Sequence, residues 1–303
     1  MAVLILGAGR VSGPVFEYFH KKGIPFSVVS AIQKELNAVK SRYASAQCYN
    51  LNLPKDVAQL PSLIAQHKVV LDILPAGLLP LVAHTCLEVR CSMVSCNDVP
   101  EEIQELHHRV VDVGITFLCE CGLDPGIDHM LAKQAVQDVK DRGGQVTSFT
   151  SWCGGLPAPE CSNNVLKYKF RLGLLSDTKV DKRGTPIDTL CHYLLQKLNY
   201  APGERDMVIM VHELQSEFPQ QSDSAQQQQE VTTVSLLEYG DIDGHSAMAK
   251  TVGYPSALAV EMILNGEIHT KGVIIPTMED VYKPVLSRLQ QLGIVAKVST
   301  SLK

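Results

Sequence analysis

An apolar run, Ala2-Val3-Leu4-Ile5-Leu6, passes directly into Gly7-Ala8-Gly9-Arg10-Val11-Ser12-Gly13-Pro14, and the residues that follow (Val15, Phe16, Phe19) are spaced as on a helix. A glycine-rich turn between a first strand and a first helix constrains this chain more than any other feature. It lets the backbone approach a pyrophosphate, while the helix N-terminus supplies N–H donors and the positive end of its dipole. The third glycine of the GxGxxG pattern is Ser12 here, so the argument rests on the position of the turn more than on the motif. The turn predicts dinucleotide binding; the competing reading is a tight βα turn without a ligand.

The first 120 residues extend that picture. Short apolar runs at 2–6, 26–30, 69–74, 91–95 and 115–119 alternate with helical patterns such as Ile103, Leu106 and Val110, the last opened by Pro100. Strands alternating with helices imply βαβ units and a parallel sheet covered on both faces. The end of the second strand selects the cofactor, normally through a carboxylate on the ribose 2′-hydroxyl. Here it reads Ser27-Val28-Val29-Ser30-Ala31-Ile32-Gln33-Lys34, with no carboxylate before Glu35. Ser30 with Lys34 tolerates a 2′-phosphate without forming a guanidinium clamp, so NAD and NADP both stay open.

After Cys121 the pattern changes. Gly122-Leu123-Asp124-Pro125-Gly126 is a turn, followed by a helix over 128–140, a strand over 146–152 and a loop from Gly154 to Pro159. Two strands, 206–214 and 231–239, flank the polar tract from Gln220 to Gln229, read as a mobile hairpin loop. Helices are expected around 255–265 and at 280–292. The fold class is therefore α/β, a Rossmann-type parallel sheet with a second, shortened α+β domain. Residues 1–122 plus about 268–303 form the dinucleotide-binding domain and 123–267 a substrate and dimerisation domain.

Composition excludes several classes. With 303 residues, 45% hydrophobic and 19% charged, the chain has globular usage and about two domains. A net charge of −5 argues against nucleic acid as a main partner, and no run is long and apolar enough to span a membrane. The nine cysteines are scattered without a CxxC pair, which points to a reducing compartment and to no metal site. The start of the chain shows no targeting segment, implying a cytoplasmic protein, or a mitochondrial one if this is part of a longer precursor. His107-His108 reads as a solvated helix face, His129 as helix packing.

Longer runs carry a resemblance. Gly122-Leu123-Asp124-Pro125-Gly126-Ile127-Asp128-His129-Met130, Cys153-Gly154-Gly155-Leu156-Pro157-Ala158-Pro159-Glu160, Asn163-Asn164-Val165-Leu166-Lys167-Tyr168-Lys169-Phe170 and Tyr239-Gly240-Asp241-Ile242-Asp243-Gly244-His245-Ser246-Ala247-Met248-Ala249-Lys250 resemble the glutamate-forming saccharopine dehydrogenases. The chain is also similar to the C-terminal half of the bifunctional aminoadipic semialdehyde synthases of lysine breakdown. The resemblance implies NAD(P)-dependent oxidation of saccharopine, followed by hydrolysis to glutamate and aminoadipic semialdehyde. It implies Asp124 as the catalytic residue and Asn97, Asp98, Asp124, Cys153 and Asn164 at the substrate. It also implies that Gly7, Gly9, Arg10, Val11, Ser12, Leu74, Pro75 and Ala76 line the cofactor, to which the reading of the second strand's end adds Ser30 at the ribose, and it admits a homodimer.

Two departures stand out. Asn97-Asp98 replaces the family's Ser-Tyr pair, and after Phe170 the chain passes straight to Arg171-Leu172-Gly173, which resembles residues from the far side of a large family segment. That segment carries an arginine for a substrate carboxylate. Arg171, Lys179, Lys182 and Arg183 follow the junction as the cations available to replace it. Three readings follow: a saccharopine dehydrogenase relative with activity reduced or lost, a non-catalytic cofactor-binding or assembly remnant, or a related carboxy-amine dehydrogenase with another substrate.

Overall fold

The computed structural model describes residues 2–161, 179–198, 200–219 and 228–302. Strands β1 (Val3–Leu6), β2 (Phe26–Ser30), β3 (Gln47–Asn50), β4 (Val69–Asp72), β5 (Ser92–Ser95) and β6 (Thr116–Leu118) alternate with six helices. These are α1 (Gly13–Lys21), α2 (Gln33–Arg42), α3 (Leu60–Ile64), α4 (Leu79–Glu88), α5 (Glu101–Gln104) and α6 (His107–Asp112). With β10 (Gly272–Ile274) the strands form one parallel sheet, ordered β10-β6-β5-β4-β1-β2-β3. The chain reverses its direction across the sheet between β1 and β4, and the crevice at the C-terminal ends of those strands is the ligand site of such sheets.

The apolar run of β1 is explained by burial on both faces. Val3 and Ile5 enter a core shared with α1 and α2, while Leu4 and Leu6 enter a separate core beneath α3, α4 and α6. Two strands of this sheet escaped the sequence reading. The edge strand β3 is half exposed and polar, and β10 is three residues long and starts on a glycine.

The second sheet is antiparallel, ordered β11-β9-β8-β7. It comprises β7 (Gln145–Pro157), β8 (Asp206–Phe218), β9 (Gln228–Tyr239) and β11 (Ala296–Leu302). Helix α7 (Ile127–Asp141) and α10 (Glu279–Gln291) pack together, and α7 covers the inner face of this sheet. Helix α8 (Pro186–Leu198) is amphipathic, and α9 (Ala247–Leu264) bridges the sheets, packing on α1, β4 and β5 as well as β8. Along β8 burial alternates: Val208, Met210, His212 and Leu214 face inward and Ile209 outward, the mark of a sheet covered on one side.

Several expectations are corrected. The segment from about 268 divides, because β10 completes the parallel sheet whereas β11 pairs with β9 in the other one. The expected loop from Gly154 continues as strand through Pro157, paired with β8 as far as Asp206. In the polar tract, residues 220–227 lie outside the described residues, but Gln228 and Gln229 belong to β9, opposite Phe218 and Glu217. His107 is not a solvated face: its Nδ1 lies 3.1 Å from the Val273 carbonyl and its ring packs on Gly272, sealing the edge at β10.

Candidate active site

The glycine turn has the shape that dinucleotide binding needs. Gly7 sits at φ +112°, where its N–H donates to the Val29 carbonyl at 2.9 Å and a Cβ would meet the Ile73 carbonyl oxygen at 2.9 Å. Only glycine combines that dihedral with that approach. At Gly9, by contrast, a Cβ would meet nothing within 4 Å. The fold itself does not need a glycine there, so the open backbone is available to a ligand, and the fit to a pyrophosphate is good. Arg10 is exposed and Val11 half-buried. Ser12 is fully buried and its hydroxyl donates to the Gly9 carbonyl at 2.9 Å, so it shapes the turn from behind. The second half of the chain presses on this turn. A Cβ on Gly13 would strike the His245 ring at 2.7 Å, and one on Gly253 of α9 would meet the Val11 carbonyl oxygen at 2.9 Å.

Beside it, the ends of β4 and β5 are tied by a buried carboxylate. Asp72, fully buried, accepts from Ser95 Oγ at 2.9 Å, from Asn97 Nδ2 at 3.2 Å and from the Leu74 N–H at 3.2 Å. Burial pushes its pKa up to about 6, against the downward pull of these donors. Asn97 Nδ2 also donates to the Leu74 carbonyl at 3.1 Å, so its amide is committed to holding the loop that leads to the exposed Pro75 and Ala76. Asp98 is exposed beside it.

The chain then crosses to the second domain at Cys121, whose carbonyl accepts from Ser256 Oγ of α9 at 2.6 Å. The turn that follows brings Asp124 to a cavity of about 290 Å³, lined also by Cys96, Cys153, Gly155 and Met248. Asp124 comes from the turn after β6 and Cys153 from β7, so the cavity unites both resemblance-derived residues. Partial burial, and then the Asp124 carboxylate beside it, push the Cys153 thiol up to about 11; it is a neutral contact group at ordinary pH. Among the described residues, no lysine or arginine lines this cavity. Asn164 and Arg171 lie outside the described residues, and Arg183 Nη2 lies 2.8 Å from His192 Nε2.

Sequence reasoning missed further groups here. Glu120 adopts a left-handed φ of +59°, a strained conformation for a side-chain-bearing residue. Its Oε2 lies 3.3 Å from His129 Nδ1, and Asp128 Oδ2 is 3.7 Å from His129 Nε2. His129 thus sits between two carboxylates next to the Asp124 turn, beyond simple helix packing. His212 is 1% exposed, with neither ring nitrogen hydrogen-bonded, and burial holds its pKa down against the upward influence of Asp124. Only its place on an inward-facing strand position could have signalled it.

Comparisons with known proteins agree with this architecture. Residues 3–118 match the saccharopine dehydrogenase NADP binding domain, and residues 122–171 and 171–294 match the saccharopine dehydrogenase C-terminal domain. The chain is 27% identical to the mitochondrial alpha-aminoadipic semialdehyde synthase of Bos taurus over 450 residues, covering 99% of this chain and 48% of that protein. It therefore spans about half the length of that relative. Against the NADP(+), L-glutamate-forming saccharopine dehydrogenase of Saccharomyces cerevisiae it is 24% identical over 448 residues, covering 98% of this chain and 99% of the relative. An apo structure of saccharopine dehydrogenase (L-Glu forming) from that yeast superposes with a TM-score of 0.88 at 24% identity, covering 99% of each chain, which establishes the fold. The aligned stretches are far longer than the 303 residues of this chain, and the second domain match stops and resumes at residue 171.

Proposed function

The chain belongs to the saccharopine dehydrogenase family, and we propose that it is an NAD(P)-dependent oxidoreductase acting on the secondary amine of saccharopine, with turnover limited by weak holding of the substrate carboxylates. The observation that carries this reading is the meeting of Asp124, from the turn after β6, and Cys153, from β7, in one cavity. When bound, the dinucleotide supplies the hydride acceptor. The chain's own groups do the rest. Gly7, Gly9, Arg10 and Val11 cradle the cofactor, and Ser12 braces the turn. Leu74, Pro75 and Ala76, a loop held by Asp72 and Asn97, would line the cofactor.

Asp124 is exposed to the crevice and takes the amine proton as the carbon–nitrogen bond is oxidised to an imine. It returns that proton to the imine nitrogen as water adds to the carbon, and takes one from the added water. That second proton goes to the nitrogen as the carbinolamine collapses to an aldehyde and the amine of glutamate, the hydroxyl proton passing back to Asp124 and on to solvent. Cys153, kept neutral, offers a weak hydrogen-bond donor beside it. The carboxylates of the substrate are the weak point. No cation lines the cavity among the described residues, Asp98 adds a negative charge near it, and the break at 171 falls where the resemblance places a missing block.

The test is initial-rate formation of reduced cofactor with saccharopine. Asp124→Asn should lower a saccharopine-dependent rate by about 10²- to 10⁴-fold; an unchanged rate would remove Asp124 from the chemistry. The same missing block favours a second reading, a cofactor-binding remnant, and dinucleotide binding with no saccharopine-dependent reduction by the unaltered protein would establish it.

A further inference from the structure

We propose that Glu35 makes this chain select NAD over NADP. The inference rests on the dinucleotide reading above and goes beyond it, since the domain family and the yeast relative are named for NADP. In this topology the adenosine ribose sits at the end of the second strand, where a carboxylate binds both hydroxyls of NAD. The strand itself offers none: β2 ends at Ser30, and Ala31 and Ile32 follow.

The structure supplies the carboxylate from the next element. Ser30, 6% exposed, donates from Oγ to Glu35 Oε2 at 2.7 Å and accepts the Ile32 N–H at 3.0 Å, which draws the Glu35 side chain back onto the strand end. Neighbouring backbone is fixed as well, because the Ser30 carbonyl accepts from Asn50 Nδ2 at 3.1 Å and from the Leu51 N–H at 3.2 Å. Glu35 lies in the first turn of α2. One oxygen is anchored on Ser30, and among the described residues Oε1 makes no hydrogen bond and stands free to accept from a ribose hydroxyl. The cations of the flanking elements, Arg10 in the glycine turn and Lys34 next to Glu35, form no ion pair with it among the described residues. A 2′-phosphate would thus be set against an uncompensated carboxylate, a like-charge contact that disfavours binding.

The test is calorimetric titration of NAD and NADP into the unaltered protein and into Glu35→Gln. The substitution lies on a half-buried surface position and keeps a hydrogen bond to Ser30, and circular dichroism confirms that each variant is folded. The unaltered protein should bind NAD about 10-fold or more tighter than NADP. Glu35→Gln should bring the two affinities within a few-fold, mainly by tighter NADP binding, and Glu35→Arg should reverse the order. NADP bound as tightly as NAD by the unaltered protein, or a preference unmoved by Glu35→Gln, would overturn the assignment while leaving the dinucleotide reading intact. Binding of neither cofactor would overturn both.

Discussion

Asp72 permits a quantitative test of how the site is held. It is fully buried where β4 ends, and its pKa is pushed from an ordinary 3.8 to about 6. A carboxyl whose folded pKa is raised binds its proton more tightly in the fold than in the unfolded chain. Its contribution to stability is therefore fully present below pH 3.8 and is lost as pH rises through about 6. The whole rise corresponds to about 3 kcal/mol, of which about 2 kcal/mol falls between pH 4.5 and pH 7.5. Asp72→Asn keeps the shape and stays neutral at every pH. It loses acceptor capacity toward Ser95, Asn97 and the Leu74 N–H, a constant cost of about 1–3 kcal/mol. That constant cancels when the two proteins are compared across pH. Urea unfolding at both pH values should show the stability of the variant relative to the unaltered protein rising by about 2 kcal/mol from pH 4.5 to pH 7.5. Parallel pH dependence in the two proteins would refute the claim that Asp72 is buried and ionises within the fold.

Two further outcomes follow from the geometry. Gly9→Val places a branched side chain where the fold leaves open space, so thermal melting should be nearly unchanged while calorimetry shows dinucleotide affinity reduced about 10-fold or more; a loss of stability with affinity retained would contradict the cradle. The outer face of the antiparallel sheet exposes Trp152, Ile209 and Leu237 together, an apolar patch that favours self-association. Sedimentation velocity should show concentration-dependent association weakened by Trp152→Gln, and a monomer at every concentration would count against that role.

The first domain was legible because its buried parallel strands are uninterrupted apolar runs, as in Val69-Val70-Leu71, bounded by turns. β3 and β10 were not, since an edge strand with polar residues and a three-residue strand leave no periodicity to read. β11 gave no signal for a related reason: nearly all its residues are exposed, so no alternation marks it. The glycine turn announced its own function. Asp124 and Cys153 were singled out through motif resemblance alone, because nothing in their spacing shows that the turn after β6 and strand β7 meet at one cavity. Glu35 and Asp72 went unread for opposite reasons. Glu35 acts on a strand end it does not belong to, by reaching back from the following helix. Asp72 lies inside the run read over 69–74 and drew no separate attention, although a lone carboxylate at the end of a buried strand is the kind of group that must find partners.

The central claim is that this chain retains the chemistry of saccharopine oxidation while holding the substrate poorly. Its most direct test is a single-turnover experiment, in which concentrated enzyme is mixed with saccharopine and NAD or NADP and the absorbance of the reduced nicotinamide is followed. The account predicts slow, saccharopine-dependent reduction that Asp124→Asn abolishes, with steady-state turnover well below the ordinary enzymatic range of about 1–10³ s⁻¹. No reduction by protein shown to bind the cofactor would contradict retained chemistry, and turnover within that ordinary range would contradict weak holding of the carboxylates.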